Sequence, residues 1–307
     1  MMKYLPEGLL TLTEENEAAL RSPASLLEAM NGRKILEARA LVCDSEHNLI
    51  VNLGCMKGII PKNECAIGIA EGTTRDIAII SKVNKPVCFY ITALEQDAGG
   101  VPYALLSRRQ VQVDCQRDYV SSLVSGDILR ARVTHLEPFG CFVDIGCGII
   151  SLIPIDSISV SRISHPRDRF EVGQDIWAIC RGFDESGKLC LSHKELLGSW
   201  EENAAAFAPG ETVAGIVRSI ESYGIFVELT PNLAGLAELR EDVCVGQHAS
   251  VYIKSLLPEK MKIKLIIVDS FHANYPRAPY SYFFTGRHMS YFRYSPACAD
   301  KLIETRF

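Results

Sequence analysis

Two pairs of aromatic residues, each with a glycine between the rings, are the side chains best suited to bind a ligand. The segment "FGCF" carries Phe139 and Phe142, and "YGIF" carries Tyr223 and Phe226, 84 residues further along the chain. A ring on a protein surface offers a flat apolar face on which a planar group such as a nucleobase can stack, at about 1–3 kcal/mol per base. We interpret the glycine as removing a side chain that would block such a ligand and as permitting a local bend.

The aromatic pairs belong to a longer internal repeat. The sequence "GDILRARVTHLEPFGCFVDI" (126–145) aligns without a gap with "GETVAGIVRSIESYGIFVEL" (210–229), and "DIWAICRGFDESGKLCL" (175–191) aligns with "ASVYIKSLLPEKMKIKL" (249–265). The offset falls from 84 to 74 residues between these blocks, so the downstream copy is about ten residues shorter in its middle. A weaker copy lies upstream, in "HNLIVNLGCMKGIIP" (47–61). Self-similarity on this scale indicates one supersecondary unit used three times.

Each copy has the pattern of a small β-barrel. Apolar and polar residues alternate with a period of two, as in "DILRARVTHL", and Gly, Pro and Asp separate the runs, which is typical of strands and turns. Five short strands in about 75 residues favour a closed barrel over a sandwich, which needs more strands. With 307 residues, 48% of them hydrophobic, the chain can fill a core in each copy. We therefore predict a mainly β chain of three consecutive five-stranded barrels.

The order of these motifs resembles the S1 RNA-binding domain, an OB-fold named for the bacterial small-subunit ribosomal protein S1 family. The resemblance is carried by the long first strand, the aromatic–Gly–x–aromatic–Val–Asp segment, the "LIPID" run and the final "FD…GKLCLSHK" hairpin. It implies S1-like OB domains at 33–112, 126–198 and 209–270. The first of these is degenerate, because His47 and Ile50 stand at its aromatic positions.

The resemblance implies a single-stranded RNA site in the second and third copies. Family members use the aromatic pair, a residue on the third strand, and an acid and a base on the last hairpin. The hairpin positions here are Asp184 and Lys188 in the second copy, and Pro258 and Lys262 in the third. The third-strand position, often histidine in this family, is Pro154 or Glu238, so we expect altered affinity or sequence choice. The full set of predicted RNA-binding residues is Phe139, Phe142, Arg162, Arg167, Asp184, Lys188, Lys194, Tyr223, Phe226, Lys260, Lys262 and Lys264.

Two basic clusters contribute to this set. The run "KMKIKL" (260–265) places three lysines on one side of a strand, where a solvated strand face is the alternative reading. The run "SRISHPRDR" (161–169) places Arg162 and Arg167 in the extra loop of the second copy, where the alternative is a loop that is merely soluble. The formal net charge of −5 disfavours binding of duplex by counterion release. It suits binding of single strands by stacking and local basic residues.

The amino-terminal segment, residues 1–32, is predicted to be helical. Thr13 and Ser22 are placed as N-caps of two short helices, and Asn31-Gly32 as the stop. Two helices before a barrel without the aromatic pair indicate an end that docks on protein. The resemblance implies that this end attaches to the small ribosomal subunit.

The carboxy-terminal extension, residues 271–307, is dense in aromatic residues, with Arg277, Arg287 and Arg293 between them. Packing onto the third barrel is the favoured interpretation. The alternative is an RNA or ribosome contact by stacking and cation–π attraction. Ser295-Pro296 predicts a final helix through "ACADKLIE".

Catalysis finds little support in the sequence. The eleven cysteines include no C-x-x-C pair, and no histidine lies in a recognisable metal or nucleophile motif. We expect no enzyme activity, metal or cofactor, no membrane contact, and a cytoplasmic location with reduced thiols. We predict a single-stranded RNA-binding protein that binds mRNA in translation. The alternative is a protein-interaction scaffold in ribosome assembly or in an RNA-processing complex.

Overall fold

The fold was described from a computed structural model, which covers residues 3–185, 187–276, 279–284 and 286–307. The chain forms two compact units. The first unit comprises Met1–Leu123, Arg130–Arg132 and Asp144–Ile150, and the second comprises Val124–Leu129, Val133–Val143 and Ser151–Phe307.

The described residues are mainly β. The helices are α1 (Glu14–Leu20), α2 (Pro23–Asn31), α3 (Ile77–Ile80), α4 (Arg108–Asp118) and α5 (Trp200–Ala204). The strands are β1 (Leu36–Cys43), β2 (Leu49–Asn52), β3 (Lys57–Ile60), β4 (Pro86–Gln96), β5 (Pro102–Ser107), β6 (Ile128–Glu137), β7 (Gly140–Asp144), β8 (Ile150–Pro154), β9 (Asp175–Phe183), β10 (Leu189–Ser192), β11 (Thr212–Glu221), β12 (Gly224–Thr230), β13 (Leu233–Ala237), β14 (His248–Leu257), β15 (Lys262–Phe271), β16 (Tyr291–Arg293) and β17 (Glu304–Arg306). None of the helices in these ranges is long and apolar enough to cross a membrane.

Fifteen of these strands form three closed barrels, with the orders β1-β2-β3-β5-β4, β10-β8-β7-β6-β9 and β11-β12-β13-β15-β14. In each barrel the third strand pairs with the last in parallel. The inward residues are the apolar members of the alternating pattern, such as the buried Val217, Val227 and Val251 of the third barrel. The prediction of three tandem five-stranded barrels is confirmed.

The two amino-terminal helices begin where their caps predict. The Thr13 hydroxyl accepts from the backbone N of Asn16, and Ser22 forms a capping box with Ser25. Leu26 of α2 belongs to the core of the first barrel. The Asn16 side chain pairs with the backbone of Glu37 on β1, at 2.8 and 2.9 Å, as a neighbouring strand would.

Helix α4 follows the last strand of the first barrel and was not predicted from the sequence. The Ser107 hydroxyl caps it by accepting from the backbone N of Gln110. Its buried side carries Arg108 and Gln112 beside Val111 and Cys115, so it lacks the apolar stripe that reveals a helix. Tertiary hydrogen bonds make this polar burial possible, which no local pattern can show.

A fully buried ion pair lies within the first unit. Arg108 donates to the Glu7 carboxylate from Nε at 2.6 Å and Nη2 at 3.0 Å, and Lys82 Nζ donates to it at 2.7 Å. Burial opposes ionisation of Glu7, but the charges of Arg108 and Lys82 hold its pKa well below the usual range. Asp144 accepts from the backbone N of Glu7, Gly146 and Gly148. The segment around Glu7 is therefore part of the core.

Asp144 gives the first unit a pH-dependent stability. Burial, with the nearby Glu7 carboxylate, raises the pKa of Asp144 to about 6, against about 3.9 in an unfolded chain. Between these two pKa values the folded state binds more protons than the unfolded state, so the free energy of unfolding decreases as the pH rises through 6. We expect the first unit to be more stable at pH 5 than at pH 7 by about 1 kcal/mol from this group. Hydrogen exchange of its amides should show this slope in the wild type and lose it in Asp144→Asn; equal slopes would contradict the assignment.

The carboxy-terminal extension packs onto the third barrel as expected, with Tyr294 in that barrel's core, but it does not end in a helix. Residues 291–293 and 304–306 instead pair as antiparallel β16 and β17. The Ser295 hydroxyl accepts from the backbone N of Ile303, eight residues on, so it does not cap a helix. Between β16 and β17 the backbone N of Asp300 donates to the Glu259 carbonyl at 2.8 Å, so the connection follows a non-helical path. Arg277 lies outside the described residues.

The extension contacts both barrels of the second unit. Buried Tyr294 donates from its hydroxyl to the Asn232 carbonyl at 2.7 Å in the third barrel. Tyr280 donates to the Arg169 carbonyl at 2.6 Å, and the Tyr282 hydroxyl lies 3.2 Å from His193 Nε2 in the second barrel. These three tyrosines of the extension therefore serve packing, and they reach the second barrel as well as the third.

Candidate nucleic-acid interface

The two aromatic pairs have the same geometry in both barrels. The ring centroids of Phe139 and Phe142 lie 5.9 Å apart at an interplanar angle of 89°, and those of Tyr223 and Phe226 lie 6.0 Å apart at 89°. Phe139 is 56% exposed and Tyr223 67%, while the second ring of each pair is half-buried. Each barrel thus presents one open ring supported edge-to-face by another, a surface on which a base can stack.

The glycine in each pair is required by the barrel itself. A Cβ on Gly140 would lie 2.6 Å from the Ile153 carbonyl oxygen, and one on Gly224 would lie 2.6 Å from that of Ala237. Neither distance is possible, because the neighbouring strand approaches too closely. The residue type is therefore explained by strand packing beneath the rings, without any need to clear space for a ligand.

A lysine shares the face of the third barrel that carries Phe226. Phe226 on β12 pairs with Leu236 on β13, which pairs with Lys264 on β15. Paired residues on neighbouring strands point to the same side, so ring and ammonium group lie on one face, two strands or about 10 Å apart. Lys262, two residues earlier on β15, has the same orientation. Stacking and phosphate contact can thus be made side by side.

Lys260 does not lie on that strand, so its predicted position is wrong. It belongs to a 3-10 turn, Pro258–Lys260, and β15 begins at Lys262. Pro258 has no N–H to offer a sheet, and Met261 adopts a left-handed conformation with φ of 48°. These two residues bend the chain before the strand starts.

The second barrel has a cysteine where the third has Lys264. Leu152 on β8, the counterpart of Leu236, pairs with Cys190 on β10. His135 instead adds a third ring, with its centroid 6.3 Å from that of Phe142. A strict alternation along β6 would put His135 on the same side as buried Val133, but the alternation ends at Val133 and His135 is exposed. In the third barrel the strand register shifts at the equivalent point, between Val217 and Ser219. A comparison of the two copies that allowed for a β-bulge here could therefore have identified His135 as an exposed ring.

The last hairpin of the second barrel is shaped by one of its predicted site residues. Asp184 accepts from the backbone N of Lys188 at 2.9 Å, so its carboxylate builds the turn, and Lys188 is exposed at the turn's end. Lys194 lies beyond the hairpin in a 3-10 helix and donates to the Asp156 carbonyl at 3.0 Å. Lys194 is therefore not part of the hairpin itself.

Arg162 and Arg167 are exposed in the long segment between β8 and β9. This segment packs onto the third barrel through Ser161, whose backbone N donates to the Pro231 carbonyl at 3.1 Å. Of the two third-strand positions, Pro154 ends β8 half-buried, and Glu238 is exposed just after β13.

The first barrel has an apolar row where the others carry rings. Val42, Ile50, Ile59 and Leu105 pair in sequence across β1, β2, β3 and β5. Val42 is 51% exposed, and the other three are half-buried. None of these four residues is aromatic, whereas Tyr103, two residues before Leu105 on β5, lies half-buried on the same side. The row therefore lacks the aromatic pair of the other barrels and suits contact with an apolar surface.

The described residues were compared with the side-chain groups that hold metal ions in proteins. Among residues 3–185, 187–276, 279–284 and 286–307, no group of three or more His, Cys, Asp or Glu side chains is arranged to hold a metal ion.

Comparison with known proteins points to one family. Residues 123–194 match the S1 RNA binding domain family. The chain is 30% identical over 230 residues to the small ribosomal subunit protein bS1 homolog of Bacillus subtilis (strain 168), covering 72% of this chain and 56% of that protein. It is 26% identical over 268 residues to the bS1 homolog of Bacillus cereus, covering 83% of this chain and 68% of that protein. A solved multidomain protein with nucleic acid binding domains from Streptococcus pneumoniae covers 77% of this chain and 74% of its own, at 13% identity and a TM-score of 0.26.

The chain spans little more than half the length of the Bacillus subtilis relative. The matched residues include strands β6 to β10 of the second barrel, with Phe139 and Phe142 among them. The chain therefore belongs to the family of S1 RNA-binding domain proteins to which the bS1 proteins also belong.

Proposed function

We propose that this chain is a cytoplasmic single-stranded RNA-binding protein of the ribosomal S1 type, which binds mRNA in translation and is not an enzyme. The observation that carries the proposal is the same exposed, edge-supported ring pair in two barrels. The S1 family match supports the proposal, and so do the relatives that are named as small ribosomal subunit proteins. A protein-interaction scaffold is not favoured for the second and third barrels, because protein contact alone does not account for two matched stacking surfaces.

Stacking, with a few lysines, is the proposed source of affinity. The net charge of −5 leaves little general attraction for phosphate. In the third barrel Lys262 and Lys264 lie on the face that holds Phe226, where they would meet the backbone of a stacked strand. The second barrel would rely on its three rings and on Lys188. Two modest sites on one chain raise the overall affinity through effective concentration.

The amino-terminal half is proposed to bind protein, with the small ribosomal subunit as the partner. The apolar row that begins at Val42 offers contact area and lacks the aromatic pair of the other two barrels. The capped helices α1 and α2 contribute further surface before the first barrel. RNA capture and attachment would then belong to different parts of the chain.

Fluorescence anisotropy with a labelled single-stranded RNA of about 20 nucleotides tests the proposal. Phe139→Ala/Phe142→Ala should weaken binding about 10–100-fold, because each lost stacking contact is worth about 1–3 kcal/mol. Tyr223→Ala/Phe226→Ala should act similarly, and the quadruple variant should bind least. Phe271→Ala, which removes an exposed ring at the far end of β15, is the control and should leave the affinity unchanged. Failure of the wild type to bind, or equal binding by the folded quadruple variant, would refute the proposal.

A further inference from the structure

The segment that makes the second barrel longer than the third is an ordered part of the second unit. We call residues 159–170 the inserted segment. It contains a short 3-10 helix, Pro166–Asp168, with a reciprocal cap formed by His165 and Asp168. It ends in Phe170, which is buried at 1% exposure. A loop that merely kept the protein soluble would need neither the cap nor the buried ring.

Backbone hydrogen bonds hold the inserted segment on the third barrel. The backbone N of Val160 donates to Asn232 Oδ1 at 3.0 Å, and Ser161 contacts the turn between β12 and β13. Asn232 is fully buried and donates from Nδ2 to the carbonyls of Lys194 and Gly198, each at 2.8 Å. One amide thus ties together the inserted segment, the connection between the barrels and the third barrel.

A buried carboxylate with two arginines completes the attachment. Glu228 on β12 accepts two hydrogen bonds from Arg169, at 2.9 and 2.5 Å, and two from Arg218, at 2.8 and 3.1 Å. Arg218 sits where the β11 register shifts, and a bulge of this kind redirects a side chain. Paired bidentate contacts of this type fix orientation as well as position. The inserted segment is therefore held rigidly against β12.

The point of attachment adjoins the aromatic pair of the third barrel. Glu228 is two residues from Phe226 on the same strand, so both side chains lie on the same side, about 7 Å apart along β12. The third copy, residues 199–270, has a net charge of −4 and needs positive charge from elsewhere to hold RNA. Apart from Arg169, which is paired with Glu228, the inserted segment carries Arg162 and Arg167 against Asp168 alone. It brings net positive charge to the edge of the stacking surface.

We infer that the inserted segment of the second barrel forms part of the RNA site of the third barrel. Exposed Arg162 and Arg167 contact the phosphates of a strand whose bases stack on Tyr223 and Phe226. This inference rests on the proposed RNA-binding function. It assigns the two arginines to the neighbouring barrel's ligand, so that the second and third barrels bind one continuous strand.

The test compares salt dependence in variants that keep only one aromatic pair. Arg162→Ala/Arg167→Ala is combined with Phe139→Ala/Phe142→Ala or with Tyr223→Ala/Phe226→Ala, and binding of the 20-nucleotide RNA is measured from low to moderate salt. With the third-barrel pair intact, losing two phosphate contacts should flatten the slope of log K against log salt by about 1.4. With only the second-barrel pair intact, the slope should stay unchanged. Arg75→Ala/Lys301→Ala, which removes two exposed charges elsewhere, is the control and should change neither.

The outcomes separate the two proposals. RNA binding that depends on both aromatic pairs, but is indifferent to Arg162 and Arg167, overturns the inference and leaves the proposed function intact. The same follows if the arginine effect appears only with the second-barrel pair. A wild type that fails to bind RNA overturns both. Near-ultraviolet circular dichroism confirms that each variant is folded.

Discussion

Glu228→Ala is expected to destabilise the second unit by about 3–5 kcal/mol. The carboxylate holds Arg169 and Arg218, whose side chains are 3% and 13% exposed. Without it, the buried Arg169 guanidinium loses its carboxylate partner, and the half-buried Arg218 keeps only Asp168, 3.9 Å away. The penalty comes from the stranded charges and exceeds what a surface ion pair would contribute.

Thermal unfolding and hydrogen exchange of amides in β11 and β12 measure this effect. Glu238→Ala removes an exposed carboxylate from the same barrel and should change stability by less than about 0.5 kcal/mol. If Glu228→Ala matched this control, the buried cluster would not stabilise the fold. The rigid attachment of the inserted segment would then lose its support.

Glu7→Ala is expected to destabilise the first unit by a similar amount, about 3–5 kcal/mol. Arg108 is 2% exposed and Lys82 20% exposed, and both donate to Glu7. The backbone N of Cys88 also donates to this carboxylate, at 3.1 Å, and would lose its acceptor. The change should release the amino-terminal segment as well as weaken the barrel.

Hydrogen exchange resolves this second prediction by region. Faster exchange is expected in residues 3–13 and in β4, with β11 to β15 of the second unit unaffected. Glu28→Ala, at an exposed position on α2, is the matched control. Unchanged exchange around Glu7 would show that the ion pair does not hold the segment.

The repeat in the sequence made the barrels and the ring pairs predictable. Two copies aligned in register indicate that the same set of strands is used more than once, and the alternation of apolar residues indicates which side faces the core. The amino-terminal helices follow from their cap residues, because a cap acts over three positions of the chain. Features with a local or repeated cause were therefore accessible from the sequence.

Features with a distant cause were not accessible. Glu7 and Arg108 are 101 positions apart, and Arg169 and Glu228 are 59 apart, so no periodicity links the partners. Helix α4 escaped prediction because its buried side is partly polar, and the final helix was wrong because Ser295 bonds to Ile303. His135 was not predicted as a site residue because the alternation of β6 ends at Val133, two residues before it. In each case a tertiary contact or a bulge overrides the local pattern.

The shared amide of Asn232 limits how this chain can be divided. Tandem barrels are often cut into single domains for study, or exchanged between proteins as separate modules. A cut after the second barrel would leave Asn232 without the Lys194 and Gly198 carbonyls, and Arg169 without Glu228. Isolated second or third barrels should therefore express poorly or aggregate even though each sequence copy looks complete. Any division of this part of the chain must therefore keep the second barrel, the third barrel and the carboxy-terminal extension together.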